Sequence, residues 1–549
     1  MSSVPSQPNG ADPPPPQTSR RWMSQKTLMV WFSSIAIGLY GYDQGMMSLI
    51  NTNRSYLRTM NISEDSALVG VIVSVYYLGC VAGAIIASHL ADKLGRKASI
   101  LTCLLTSMVG DIVMFVPGIY PPESDNDWNG SSLALMITGR IVLGLGIGGI
   151  DAVIPVYSSE LSKDGSRGSA LAKEFQANIA GLCVAFALNL ILTYRLGKDN
   201  QWAWRVPIVF MQIFPVILLL IVRGLPESPR WLVSQARMDD ARDALEDLHG
   251  ETQGDAMFDE LYRAQFEEPE ERIGYLDMLW RKGSQFHPSM IVVMGQVNQA
   301  LTGYGAVSVY GPQIFELLGL DVREAEWTTL GNYIVYFLMM TVAWKTIDVY
   351  GRRKLMVWGS AGLAACFAVL AVLGGISVDV LHNPKLTIEI LGSAVLFLST
   401  SIFGVTWLTT AWLIPTEIYP TRARAQGSAI SVIIWGFTNF AVTLLTPIGF
   451  NNLKYWLFLV FAMTNTFAGW MTWRYSPETG GRSFEENQKF FIAAREVGSC
   501  VVKKVDGGKF LTMPPPPEEE HGEAPKGNED AKSGPTEATP LLGDRIEPE

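Results

Sequence analysis

The chain has 549 residues, of which 48% are hydrophobic and only 17% charged, where soluble domains carry about a quarter charged. The net charge of −10 collects in polar segments, chiefly the C-terminal tail. This balance excludes an ordinary soluble protein. The absence of a Lys/Arg groove interleaved with aromatics excludes a nucleic-acid binder.

In chain order, a Pro/Ser/Gln-rich leader ends near residue 27 and is expected to be a disordered tail. Apolar stretches follow, each long enough to cross about 30 Å of hydrocarbon as a helix. Twelve can be counted: 28–50, 66–91, 98–118, 132–157, 169–194, 203–223, 288–317, 327–346, 354–375, 388–416, 428–449 and 453–474. They are called spans 1 to 12 below. The polar stretch 224–286 between spans 6 and 7 carries short amphipathic helical patterns, including 238–249 and 258–266. The expected organisation is a tail (1–27), a six-helix bundle (28–223), a helical linker (224–286), a second bundle (287–474) and a C-terminal tail (475–549), disordered from about 501. The fold class is all-α and polytopic, with twelve transmembrane helices in two pseudo-symmetric halves.

Basic residues orient the spans. Arg20, Arg21 and Lys26 precede span 1, Lys93, Arg96 and Lys97 follow span 2, and Arg352, Arg353 and Lys354 follow span 8. With alternating spans these lie on one side, which the positive-inside bias makes cytoplasmic, together with both termini. Three Asn-x-Ser sequons, at Asn53, Asn61 and Asn129, then fall in outer loops as glycosylation candidates. Cys80, Cys103, Cys183 and Cys366 lie in spans and Cys500 in the inner tail, so no disulfide framework is expected.

Charged motifs repeat across the halves at nearly one offset. Asp92 and Arg96 return as Asp348 and Arg352, and Glu160 and Arg167 as Glu417 and Arg424. Pro226-Glu227-Ser228-Pro229-Arg230 has a looser echo in Pro477-Glu478-Thr479. All sit at span ends. A duplicated charge pattern in a hydrophobic chain predicts two membrane halves that move against each other. The acidic members contribute little to topology, so the pattern is expected to latch the inner face rather than merely orient helices. Exposed pairs are worth about 0–1 kcal/mol each, so only a network could hold such a gate.

Asp43 and Arg140 differ. Each lies about seven residues from the outer end of its span, some 10 Å deep at ~1.5 Å per residue. A charge at that depth needs a partner or a wet cavity. Neither has a charged counterpart in the other half, where Gly305 and Phe397 stand, so the pair is less readily read as scaffold.

The ordered set of motifs resembles the sugar porter family of the major facilitator superfamily, most closely its fungal members. The matching strings are Gly41-Tyr42-Asp43-Gln44-Gly45, the Asp92–Lys97 and Asp348–Lys354 loops, Gly139-Arg140, Glu160 with Arg167-Gly168, Pro226–Leu232, Glu417 with Arg424, and Pro477-Glu478-Thr479, across roughly 25–490. The resemblance implies alternating access for a sugar or sugar-like solute. It implies that Asp43 takes a proton under the influence of Arg140. A permanent ion pair in a facilitator is the competing reading.

The resemblance also places solute-binding positions at Gln176, Gln299, Trp412 and Asn439. Gln296 and Gln299 share a face of span 7 with Gly303, and Thr302 and Tyr304 join them as candidates. Amides and hydroxyls suit a solute whose hydroxyls both donate and accept, and an aromatic face suits its C–H surface. The chain departs from the family string Gln-Gln-Leu-Ser-Gly-Ile-Asn, reading Gln299-Ala300-Leu301-Thr302-Gly303-Tyr304-Gly305. Ala300 and Gly305 lose hydrogen-bonding groups a hexose would use, so a polyol, cyclitol, acid or disaccharide stays open beside a monosaccharide. Leu408-Thr409 replaces a Gly-Pro before Trp412, the span 11 Trp has slipped to Trp435, and Ser88 stands for a Gly.

No phosphate loop, nucleophile triad or metal cluster is evident, so neither an enzyme nor a cofactor is expected. The expected partners are a small solute, protons and the bilayer. Residues 537–542 fit an acidic dileucine signal at Leu541 and Leu542, which a sorting adaptor could read. The plasma membrane is the expected location, with the vacuolar or endosomal membrane as the alternative. A sugar sensor and an exporter of a non-sugar metabolite are the competing functions.

Overall fold

The computed structural model describes residues 25–63, 66–119, 131–161, 167–267, 274–280, 285–376, 386–420, 423–482 and 484–514. Asn129, Leu541 and Leu542 lie outside them, as does the side chain of Arg167. Among the described residues every regular element is helical.

Nine spans are single α-helices close to their predicted bounds, among them Gln25–Ile50, Ala67–Leu94, Arg96–Phe115, Ser131–Leu161 and Arg167–Leu196 for spans 1 to 5, then Val322–Tyr350 and Arg352–Gly375 for spans 8 and 9. Arg424–Leu453 and Trp456–Tyr475 form spans 11 and 12 likewise. Span 6 is Trp202–Met211 and Ile213–Val222, stepped at Gln212. Among the described residues, eight helical segments are long and apolar enough to cross a membrane by length and composition. Spans 1, 8 and 12 are diluted by Gly, Tyr, Trp, Thr and Asn, and span 7 is interrupted.

Within the first half, small residues let backbones touch, the usual device where lipid offers no hydrophobic drive between helices. A Cβ on Gly41 would lie 1.9 Å from the Asn178 carbonyl oxygen, which presses span 1 against span 5. Between the halves, span 2 runs along span 11 and span 5 along span 8.

Spans 7 and 10 are broken. Span 7 runs Phe286–Leu301, Tyr304–Val309 and Gly311–Leu317. Its first break turns on Gly303, whose φ of +81° is left-handed. A side chain there would also strike the Phe461 ring, 2.7 Å from an added Cβ. Span 10 runs Leu386–Phe403 and Thr409–Ile418 around a π-helical turn, Gly404–Leu408. In place of a Gly-Pro pair, span 10 thus carries a π turn, which also breaks the regular α-helical hydrogen-bond pattern.

The linker forms Pro229–Ser234, Met238–His249, Glu251–Glu267 and Tyr275–Leu279. Its own small core is Leu232, Val233, Ala241, Ala244, Leu245 and Phe258. Ser88, flagged as replacing a glycine, meets the linker: its Oγ lies 2.8 Å from the Tyr275 hydroxyl.

Two expectations are corrected. The chain was expected to lose order from about 501, yet Val502, Val505 and Phe510 are buried. The Glu478 N–H donates to the Phe510 carbonyl at 2.8 Å, and Arg482 donates to the carbonyls of Lys509 and Thr512. Three spaced apolar side chains anchor a segment whose composition alone reads as disordered. Asn53 is only 4% exposed, and its Oδ1 accepts from the Tyr56 N–H as the N-cap of Arg54–Met60. It is therefore occupied as a helix cap rather than presented as a glycan acceptor, whereas Asn61 is exposed.

Candidate functional site

The repeated charges build two copies of one cluster at one end of the molecule. In the first half Arg96 donates from Nε and Nη2 to Glu160, both at 3.1 Å, and from Nη1 to the Ala91 carbonyl at 3.0 Å. In the second, Arg352 donates to Glu417 at 3.1 and 2.7 Å and to the Ile347 carbonyl at 3.0 Å. Asp92 and Asp348 each flank their arginine, at 3.6 and 3.1 Å.

Glu227 and Glu478 do a job that spacing did not reveal. Glu227 accepts the N–H groups of Arg96 and Lys97 at 3.0 and 3.2 Å, and Glu478 those of Arg352 and Arg353 at 2.8 and 3.1 Å. Each carboxylate caps the positive N-terminus of a helix, span 3 or span 9. Gly95 and Gly351, at φ of +95° and +84°, clear the way, because an added Cβ would lie 2.6 or 2.4 Å from the capping carboxylate. The looser sequence echo is thus a close structural repeat. Arg230 is half-buried in the first turn of Pro229–Ser234, and Arg424 opens the span 11 helix.

Bonds near this end join the halves. Asp348 Oδ2 accepts the Ser169 N–H of span 5 at 3.0 Å. Nearby, the Ser428 hydroxyl of span 11 donates to the Ala152 carbonyl of span 4 at 3.4 Å. The opposite end is also bridged: Lys198 lies 2.7 Å from Glu326, and Tyr194 meets Trp327 edge-on.

Between the ends a cavity of about 40 Å³ is lined by side chains from spans 1, 5, 7, 10 and 11, including Tyr40, Asn178, Gln299, Tyr304, Trp412 and Asn439. At ~10–15 Å³ per water it holds about three waters, far below the ~300 Å³ of ordinary small-molecule sites. A solute therefore needs the halves to part. A second cavity continues towards the charged end, past Tyr40, Phe175 and Trp412 to Asp151, Thr416 and Ser428.

Of the predicted solute residues, Gln299, Tyr304, Trp412 and Asn439 face the cavity. Gln299 donates from Nε2 to the carbonyls of Trp407 and Leu408 in the π turn, at 3.3 and 3.1 Å. Tyr304 stacks on Phe403 with centroids 4.1 Å apart. Asn439 donates to the Trp435 carbonyl, and its Oδ1 lies 3.1 Å from where a Gly305 Cβ would stand. Its amide thus occupies room that the family asparagine would fill.

The other three lie elsewhere. Gln176 bridges the halves, donating to the Phe337 carbonyl at 3.1 Å. Gln296 is fully buried and donates to the Ala411 carbonyl and Ser431 hydroxyl. Thr302, also fully buried, donates to the Gln299 carbonyl, securing the span 7 break rather than facing the cavity. Helix periodicity placed Gln296 on the right face but could not show that span 11 already claims its amide.

Sequence reading missed Asn178, Phe175 and Tyr40, which line the cavity. It also missed the value of Trp435. That ring meets Trp412 at 5.7 Å, Tyr40 at 5.4 Å and Tyr77 at 5.2 Å between centroids. The slipped tryptophan still faces the centre. Gly436 beside it admits span 2, since an added Cβ would lie 2.6 Å from the Val81 side chain.

Asp43 and Arg140 are each 1% exposed and form an ion pair, with Arg140 also 4.6 Å above the Tyr76 ring. Rings then run unbroken from Tyr76 through Tyr77, Trp435 and Trp412 to Phe175. The pair and the cavity are thus joined by direct contact.

A family described as "Sugar (and other) transporter" matches residues 28–491. The chain belongs to that family. It is a transporter rather than an enzyme, built on the major facilitator fold. Over 465 residues it is 29% identical to the MFS-type transporter oryC of Aspergillus oryzae, which covers 83% of each chain. It is 28% identical over 489 residues to the sugar transporter STL1 of Saccharomyces cerevisiae, 85% of this transporter and 81% of that one. Among solved structures, the proton:xylose symporter XylE bound to 6-bromo-6-deoxy-D-glucose superposes with a TM-score of 0.70 at 21% identity, covering 84% of this chain and 98% of that one. Partially occluded, inward-open XylE from E. coli gives 0.69.

Proposed function

We propose that this transporter moves a sugar or related polyhydroxylated solute, a monosaccharide, polyol or cyclitol, by alternating access, with a proton bound at Asp43. The observation that carries it is the buried Asp43–Arg140 pair, found in one half only and joined by rings to the central cavity. Protonation of Asp43 removes its charge and frees Arg140, and the ring contacts give the change a route to the residues around the solute. Relatives named as a glucose transporter, a myo-inositol transporter and an arabinose-proton symporter support the class of solute and the coupling. Ala300, Gly305 and the Tyr304 ring reshape the cavity, which favours a solute other than glucose. The duplicated latches are machinery for a cycling protein, which disfavours a sensor.

The end bearing the charged clusters is cytoplasmic in this reading, and the protein serves at the plasma membrane. An adaptor reading Leu541 and Leu542 would withdraw it to endosomes or the vacuole. Reconstitution into liposomes tests the function. A panel of radiolabelled hexoses, pentoses, polyols and inositols is offered while an internal dye reads proton entry. Uptake accompanied by protons in the wild type, and uptake without protons in Asp43→Asn, is expected. Proton entry that survives Asp43→Asn would overturn the coupling.

A further inference from the structure

Beside the Asp43–Arg140 pair stands a second buried carboxylate that the transport cycle above does not use. Asp111, on span 3, is 1% exposed. It reaches the pair because spans 3 and 4 touch backbone to backbone at this level. A Cβ on Gly139 would lie 3.0 Å from the Gly110 carbonyl oxygen and one on Gly110 2.3 Å from the Leu143 N. Asp111 and Arg140 follow these two glycines directly, and Asp111 lies within electrostatic reach of both Arg140 and Asp43.

The hydrogen bonds here are incomplete in a complementary way. Asp111 Oδ2 accepts from Gln212 Nε2 at 3.2 Å, at the step in span 6. Asp111 Oδ1 is buried without a hydrogen-bond partner, and so is Arg140 Nε. One is an acceptor and the other a donor, on two helices that touch at this level. Of the other titratable groups here, the Tyr42 hydroxyl donates to the Pro207 carbonyl and Arg205 donates to the carbonyls of Phe115 and Pro117, while the Tyr76 ring lies under Arg140 and the Tyr56 and Tyr76 hydroxyls are buried without hydrogen-bond partners.

We infer that Asp111 is the alternate partner of Arg140: when a proton binds Asp43, the guanidinium passes from Asp43 to the Asp111 carboxylate. The inference rests on proton binding at Asp43. With both acids ionised, the three groups carry a net charge of −1 in a dry site. Adding one proton to an Asp43 oxygen brings them to neutrality, and no bond other than that O–H forms. Arg140 then trades one carboxylate for another and is never left as an unpaired buried cation, the costly outcome for any ion-pair switch. By taking Arg140 when Asp43 is protonated, Asp111 favours the protonated state and gives Arg140 two defined positions.

Solute and proton uptake are measured in proteoliposomes from about pH 5 to pH 8 for the wild type, Asp111→Asn and Asp43→Asn. Asp111→Asn is expected to keep proton entry but to weaken proton affinity about tenfold, moving the uptake profile about one pH unit towards acid. A lesion of packing alone would lower uptake at every pH without moving the profile. Superimposable profiles for Asp111→Asn and wild type, with proton entry lost only in Asp43→Asn, overturn the role of Asp111 and leave the coupling intact. A wild type that moves no protons overturns both. A structure of Asp43→Asn gives a second test that does not need an Asp111 variant to fold. Arg140 is expected within hydrogen-bond distance of Asp111 Oδ1, and an Arg140 still held at residue 43 would overturn the inference.

Discussion

Asp348 of the second half accepts the main-chain N–H of Ser169 in the first at 3.0 Å, while its other oxygen lies 3.1 Å from Arg352. The arginine–glutamate pairs Arg96–Glu160 and Arg352–Glu417 each stay within one half. They hold the helix ends from which Asp348 meets the facing backbone. Gly168 enables this meeting, because a Cβ there would lie 2.3 Å from the Asp348 carboxylate.

Asp348→Asn keeps one acceptor oxygen but loses the charge, and with it the tie to Arg352. A hydrogen bond to a charged group is worth about 1.5–3 kcal/mol. The charged end is expected to open more often, by about tenfold for each ~1.4 kcal/mol lost. A cysteine at Ser428, which lines the cavity towards that end, should react faster with a thiol reagent. Labelling at the wild-type rate would show that this bond does not hold the end shut.

Tyr304 is the largest change from the family string. Its ring lies parallel to Phe403, 12° between planes, and its hydroxyl is buried without a hydrogen-bond partner. Tyr304→Phe removes that unpaired group and should leave thermal stability equal or raised by about 1 kcal/mol. If the hydroxyl serves the solute, affinity should fall about tenfold, which is the measure of one lost hydrogen bond of ~1.4 kcal/mol. Unchanged affinity would assign the ring to packing alone.

Span 11 carries a paired change: the tryptophan has moved back to Trp435 and Gly436 touches span 2. An added Cβ at 436 would be 2.6 Å from the Val81 side chain and 3.0 Å from the Tyr77 carbonyl oxygen. Gly436→Val should push spans 2 and 11 apart and cost about 1–3 kcal/mol as overpacking, read as a lower melting temperature in detergent. A variant as stable as wild type would mean that this crossing is loose.

The spans were legible because hydrophobic length is a strong signal: the helices Ala67–Leu94 and Arg352–Gly375 begin and end within a few residues of the apolar runs. The latch was legible because its charges repeat. What escaped depends on three-dimensional closeness. Asp111 has no repeat and no flanking motif, and only its packing beside Arg140 gives it meaning. Asn178 reads as an ordinary polar residue of a helix, yet it bonds the Ile37 carbonyl and borders the cavity. Gln176, Gln296 and Gln299 are alike in sequence. Which of them has an oxygen left for a solute depends on the carbonyls that neighbouring helices present.

Gln299 shows how one amide serves two purposes. Its Nε2 is committed to the Trp407 and Leu408 carbonyls of the π turn. Its Oε1 is buried and has no hydrogen-bond partner within the protein, so it is the atom available to a solute hydroxyl. Gln299→Glu keeps an acceptor but sets a carboxylate against two carbonyl oxygens, and should cost more than Gln299→Leu, which removes their side-chain donor and leaves the Trp407 carbonyl only its side-chain bond from the Thr410 hydroxyl. Each unpaired buried group costs about 1–3 kcal/mol, so Gln299→Leu should both lower the melting temperature and weaken solute binding. The two effects can be separated: solute should stabilise the wild type by about 2.7 kcal/mol at 100-fold its Kd, and at the same concentration the stabilisation of Gln299→Leu should be smaller. Equal solute-induced shifts in both proteins would restrict Gln299 to holding the π turn.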